Sequence, residues 1–190
     1  MNKQKIDTLL KKVKVLLADE EGYKELLAQT GKSAEDLLDL LQTLSGYPNV
    51  EPRLRSAIFK TMLRLSKRSS VFPKCLSIQN VKTLGNYAVA AGGFGEIWKG
   101  TIGKSTQIIC LKIVRVYLES DVESLIREFL REAIIWRQLE HPNVLPFLGL
   151  YLLDDTRICL LSPWIDSGNL NQYLKAKPRE EVDHYLLVRV

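Results

Sequence analysis

The sequence predicts an α+β chain: a helical N-terminal region, then a mostly antiparallel sheet of five strands with one helix inserted after the third. Three observations carry this. Residues 1–70 repeat leucine and isoleucine at three- and four-residue spacing, the period of an amphipathic helix. From Val81 the pattern changes to short runs rich in β-branched residues, separated by turns. Charge changes at the same place, since residues 1–85 hold 15 Lys and Arg against 9 Asp and Glu, whereas residues 86–190 hold 12 against 13. These shifts place a helical, bundle-like region at 1–70, a linker at 71–83 and a part built on strands from residue 84 onward.

The elements follow in order. Helices are expected at 3–17 and 34–44, the second carrying Leu37, Leu38, Leu41 and Leu44 on one side. Ser33 followed by Asp36 reads as a capping box opening it. GYPNVEP (46–52) breaks the chain, and Pro52 suits the first position of a new helix. That helix, 53–68, has Leu54, Ile58, Met62 and Leu65 on one side and Arg53, Lys60, Arg64, Lys67 and Arg68 on the other, with no acid. The basic side reads either as a solvated helix surface or as a dock for an acidic protein partner or an anionic surface. A specific nucleic-acid site is disfavoured, because no aromatic residues interleave with the basic ones. Next, LGNYAVAAGGFGEIWKGTI reads as two strands joined at its glycines, and QIICLKIVRVY (107–117) as a third. Ser120 with Glu123 caps a helix over 120–140 that stops at His141-Pro142, because proline disfavours helix in the residue before it. Strands at 144–152 and 157–164 are joined by a turn at Asp154-Asp155, and helices begin in SGNLNQYLKA (167–176) and EEVDHYLLVRV (180–190).

Composition narrows the class. Hydrophobic content of 46% with 26% charged residues is that of a soluble globular protein. No apolar run approaches the ~20 residues that span a bilayer. Lysines interrupt the N-terminus throughout, which excludes a signal peptide there. Cys75, Cys110 and Cys159 are far apart and form no CxxC or Cys/His cluster, which argues against disulfides and zinc and for the cytosol or nucleus.

Two features suggest chemistry. In AVAAGGFGEIWKG (88–100) the positions of a G-x-G-x-x-G pattern are Ala90, Gly92 and Gly95, a spacing that alone reads equally as a plain hairpin. Lys112 interrupts the apolar strand ICLKIV. It is either an edge lysine reaching water or a cation held by an anion from the protein and another from a ligand, because an unpaired buried ammonium is costly. Helical spacing puts Glu132 with Phe129, Ala133 and Trp136, which makes it the partner to expect; Glu128 is the rival.

The segments AAGGFGEIWKG, ICLK, FLREA, HPNVLPFLG and ICLLSPWIDSGNL resemble, in this order, the N-terminal lobe of a protein kinase, close to the tyrosine-kinase-like branch of Ser/Thr kinases. The resemblance spans residues 84–190, slightly over half the chain, and makes 84–165 the small lobe and 166–190 the hinge exit and first helices of the large lobe. A helical region followed by such a lobe is also similar to kinase-like proteins abundant in mushroom-forming fungi. The resemblance implies ATP as cofactor. Ala90, Gly92, Gly93 and Gly95 would form the phosphate loop, Phe94 would cap the phosphates, and Ile97 and Cys110 would line the adenine pocket. Lys112 would bind the α- and β-phosphates with Glu132 holding it. Ser162 stands at the gatekeeper position and implies an open rear pocket. At the hinge, Pro163 would supply a carbonyl and Ile165 a carbonyl and an N–H. Alanine at position 90 implies weaker or less flexible nucleotide binding. The expected activity of the intact protein is phosphoryl transfer from ATP to protein Ser/Thr, with Tyr as a further acceptor.

The H-R-D and D-F-G motifs that such transfer needs are absent; the only histidines, His141 and His184, are not followed by Arg-Asp. The chain stops at Val190, inside what should be the first long helix of the large lobe. A truncated kinase, inactive by itself, is therefore expected, with Mg2+ bound only when the missing lobe is present. Two other readings stand: a pseudokinase serving as a nucleotide sensor or scaffold, and a pure interaction protein working through its helical region.

Overall fold

The computed structural model describes residues 3–92, 95–114, 122–153 and 157–176. The chain divides into two compact units, one of Met1–Leu76 with Leu118–Ile134 and one of Ser77–Tyr117 with Ile135–Val190.

The first unit is helical: α1 (Lys3–Ala18), α2 (Glu20–Leu27), α3 (Gly31–Ser45), α4 (Pro52–Ser69), a 3-10 turn at Lys74–Leu76, and most of α5 (Val122–Arg137). Its core forms where the apolar stripes of α3 and α4 meet. Leu38, Leu41 and Leu44 are fully buried with Ile58, Met62 and Leu65. Ile6, Val13, Leu26, Leu27 and Ile134 join the same cluster. Each such side chain contributes about 1.5–3 kcal/mol through burial. Pro52 opens α4, and the expected division of that helix is present: Ile58, Met62 and Leu65 inside, Leu54 half-buried, and the basic residues, Arg55 among them, outside.

Two local expectations are corrected. Ser33 does not cap α3, which begins at Gly31 with Thr30 in the N-cap position. The Ser33 hydroxyl lies within the first turn and donates to Gln29 Oε1 at 2.5 Å. Helix α2 was not expected. It is short, and Asp19 starts it by accepting a hydrogen bond from the Gly22 N–H at 2.7 Å. Glu20 and Glu21 complement the helix dipole in its first turn.

The second unit is built on β1 (Val81–Leu84), β2 (Ala90–Gly92), β3 (Gly95–Ile102), β4 (Ile109–Ile113), β5 (Gly149–Leu152) and β6 (Ile158–Pro163). Every pairing is antiparallel, in the order β1-β3-β4-β6-β5, with β2 also paired to β3. The five-strand expectation holds, because β1 and β2 pair successive stretches of β3. They are one strand interrupted near Gly85, whose φ is +82°. β5 is shorter than expected. Pro146 has no N–H to give a ladder, and the preceding residues turn instead, with the Val144 N–H donating to the His141 carbonyl at 3.0 Å. Likewise α5 ends at Arg137 and not at residue 140; its last turn tightens, with Gln138 N–H bonded to the Ile135 carbonyl at 3.0 Å.

In β4 burial alternates. Ile109, Leu111 and Ile113 enter a core with Val81, Cys159 and Leu161, and the residues between them face the other side. Helix α6 (Leu170–Ala176) opens with a reciprocal cap: Asn169 Oδ1 accepts from Gln172 N–H at 3.0 Å and Gln172 Oε1 from Asn169 N–H at 2.9 Å. The expected Ser120–Glu123 cap begins, and the 180–190 helix lies, outside the described residues. Among the described residues no helix is long and apolar enough to cross a membrane.

Candidate functional site

Strand register builds the site. Residues paired across neighbouring strands point to the same face of a sheet. One row runs Ala90–Ile97–Lys112–Leu160 and the next Lys99–Cys110–Ser162. Between them, on the opposite face, runs Trp98–Leu111–Leu161, which enters the core. Thus Ala90, Ile97, Cys110, Lys112 and Ser162, five residues singled out in the sequence, share one face of the sheet.

That face is graded in polarity. Leu160 and Ser162 are buried at 1% and 4% exposure, and Ile97, Cys110 and Lys112 are half-buried. Burial pushes the Cys110 thiol above its ordinary value, against the opposing pull of a Ser162 hydrogen bond and the Lys112 charge. The Ser162 hydroxyl also lies 3.4 Å from the Pro163 carbonyl. Ala90, Cys110 and Ser162 present small side chains along the strip beside Lys112.

Glycine is required at Gly95, where φ is +131° and a Cβ would be driven into the Ile113 carbonyl. Gly92 pairs with Gly95, and the space where its Cβ would lie is open. Ala90 is exposed in β2 without a positive φ, so its Cβ is accommodated in extended backbone. Gly93 and Phe94 lie outside the described residues.

At the end of β6, the Trp164 N–H donates to the Ile108 carbonyl at 3.2 Å. Antiparallel ladders alternate hydrogen-bonded and non-bonded pairs, so Pro163, opposite Ile109, turns its carbonyl away from β4. Proline loses nothing there, since no N–H is needed. Ile165 is exposed, and its carbonyl accepts from the Gly168 N–H at 3.1 Å. One contact was missed in the sequence: Lys99 Nζ sits 4.5 Å from the centroid of the Trp164 ring, a cation–π contact between β3 and the segment after β6. Its signal was available, because Lys99 stands two residues from Ile97 and therefore on the same face.

Glu132 belongs to the helical unit. It is exposed, at the margin of the stripe in which Phe129, Leu130, Ala133 and Ile134 are buried. Glu128 is exposed as well, so exposure does not separate the two carboxylates.

A family model described as protein tyrosine and serine/threonine kinase matches residues 83–189. The chain belongs to this kinase family. Its relatives include the L-type lectin-domain containing receptor kinase I.3 of Arabidopsis thaliana, 34% identical over 86 residues, 45% of this chain and 12% of that protein. The human tyrosine-protein kinase ABL2 is 28% identical over 102 residues, 54% of this chain and 8% of that protein. The serine/threonine-protein kinase STY46 of Arabidopsis thaliana is 29% identical over 89 residues, 46% of this chain and 14% of that protein. The chain therefore spans a small fraction of each relative's length. The kinase match begins within β1, so the sheet unit carries the family's sequence from its first strand.

Proposed function

We propose that the face bearing Ala90, Ile97, Cys110, Lys112 and Ser162 is the ATP-binding surface of a protein kinase that phosphorylates protein Ser/Thr, with Tyr as a further acceptor. The observation supporting this reading most directly is the cross-strand register, which aligns Ile97 with Lys112 and Cys110 with Ser162. The residues fit the nucleotide: a half-buried ammonium for phosphate, small side chains for a planar base, and a Pro163 carbonyl turned out of the ladder for its amino group. ATP would supply the transferable phosphoryl group. Lys112 would bind the α- and β-phosphates, Glu132 would hold Lys112, and residues 90–95 would present backbone N–H groups to the phosphates. Ser162 would leave the rear of the pocket open. Ile165 would offer its N–H and the second lone pair of its carbonyl. In this reading the protein acts in the cytosol or nucleus.

A second reading is a pseudokinase that senses nucleotide or serves as a scaffold. It is favoured by Ala90, which stands where the phosphate loop would carry its first glycine.

The test is binding of a fluorescent ATP analogue to the 190-residue protein. Lys112→Met should weaken it by at least about tenfold, the loss expected for one charge-assisted phosphate contact. Ser162→Phe should weaken it by filling the pocket. Unchanged affinity in Lys112→Met sinks the assignment. Activity then separates the two readings: a longer form of the protein that binds ATP and phosphorylates no protein acceptor supports the second.

A further inference from the structure

We infer that the helical unit carries a second anion site, a cleft between α4 and α5 that receives a phosphorylated side chain of a protein segment. The cleft has a volume of about 440 Å³ and is walled by Arg64 and Lys67 from α4 and by Arg127 and Arg131 from α5. Among the described residues Glu128 is the one carboxylate lining it, so there four cationic side chains face one anionic group. Among the described residues, no salt bridge joins Lys67, Arg131 or Glu128 to a partner.

The basic residues are placed for an anion on three counts. Arg64 is set in position by Tyr23, whose hydroxyl accepts from Arg64 Nη1 at 3.0 Å and whose ring centroid lies 6.0 Å from the guanidinium carbon. Arg127 and Arg131 stand one helical turn apart, so their guanidinium groups lie on the same side of α5 and can reach one anion together. Ser124, in the first turn of α5, brings the positive end of a 16-residue helix to the same cleft. A phosphomonoester dianion suits this set, because guanidinium groups bind its oxygens in pairs.

The form of the site selects among carriers of phosphate. Among the described residues no aromatic side chain lines it, and those residues give nucleic-acid bases no platform on which to stack. It is a recess, and Ser66, buried in its wall, spends its proton on the Val71 carbonyl at 2.7 Å. A side chain entering from a peptide can reach such a recess, whereas a bilayer headgroup is presented on a broad surface. Inorganic phosphate shares the chemistry without the peptide's further contacts.

Fluorescence anisotropy on the 190-residue protein tests the inference, with a labelled short Gly/Ala peptide carrying one phosphoserine as probe. The phosphopeptide should bind and its unphosphorylated form should not. Inorganic phosphate should compete only at higher concentration, and vesicles of phosphatidylcholine with phosphoinositide should not compete at equal phosphate. Lys67→Gln and Arg131→Gln should each weaken binding about tenfold, the scale of one lost charge-assisted contact. Arg53→Gln, on α4 outside the cleft, should leave it unchanged. As a check independent of the variants, the phosphopeptide should raise the thermal midpoint of the unmodified protein and its unphosphorylated form should not. Binding that ignores phosphorylation, binding confined to the vesicles, or an equal loss in Arg53→Gln overturns the proposal.

Discussion

Helix α4 and strand β4 sort their residues differently, and the difference marks where chemistry can reside. In α4 the division is complete: Ile58, Met62 and Leu65 have no exposure, and Arg53, Lys60, Arg64, Lys67 and Arg68 are all in solvent. In β4 it is not. Ile109, Leu111 and Ile113 are buried at 2%, 0% and 4%, but the alternate residues Cys110 and Lys112 are half-buried. The burial pattern of α4 by itself requires only a core and water, whatever its basic side binds. A strand whose second face is half-buried and holds an ammonium keeps a charge beside apolar neighbours, and this is the setting that the proposed nucleotide would use.

The most forceful way to test that contrast is to remove one fully buried leucine from each unit. Leu38→Ala and Leu111→Ala should each cost about 2–5 kcal/mol, read from urea denaturation. Their effects on nucleotide binding should differ. Leu111 is the neighbour of both Cys110 and Lys112, so its loss should also weaken ATP under conditions where the protein is still folded. Leu38→Ala should leave ATP affinity unchanged under such conditions. Equal effects of the two variants would remove the contrast.

A smaller perturbation acts on the sheet alone. A Cβ at Gly100 would lie 2.5 Å from Leu111 Cδ1 and 2.6 Å from the Lys82 carbonyl, squeezed between the core and β1. Gly100→Ala should therefore cost about 1–3 kcal/mol. Faster amide exchange across Val81–Leu84 would show that the strain is released by loosening β1. Smaller again, Asp19→Ala removes the cap of α2 and should cost about 1 kcal/mol; helical circular dichroism and the unfolding midpoint would report it.

Legibility in the sequence follows the same contrast. The apolar stripes of α3 and α4 were readable because a helix repeats its buried positions over several turns. Helix α2 was not, being eight residues long with little periodicity to display. Ser33 misled because a Ser-x-x-Asp spacing fits a capping box while competing hydrogen bonds, here to Gln29, are invisible in one dimension. In the sheet, Lys112 drew notice as a charge in an apolar run. Its alignment with Ile97 and Leu160 needed the register, which depends on pairing between distant segments. The cleft between α4 and α5 was half legible: the basic face of α4 was plain, but Arg127 and Arg131 lie some sixty residues away.

The mildest test concerns Cys110, whose thiol reports on the half-buried face directly. Burial raises its pKa above the ordinary value of 9.0, and the Ser162 hydrogen bond and the Lys112 charge act in the opposite direction. A thiol held protonated in the folded state contributes stability below the unfolded-state pKa, and that contribution is lost as pH rises through the folded-state value. Alkylation followed by mass spectrometry should thus find Cys75, which is exposed, modified before Cys110 near neutral pH, and Cys159, fully buried, last. The Cys110 rate should rise with a midpoint displaced above 9.0. In Lys112→Met the midpoint should move further up, because the positive charge that favours the thiolate is gone. A Cys110 profile insensitive to that substitution would mean that Lys112 does not act on the face where register places it, and the contrast between β4 and α4 would lose its chemical half.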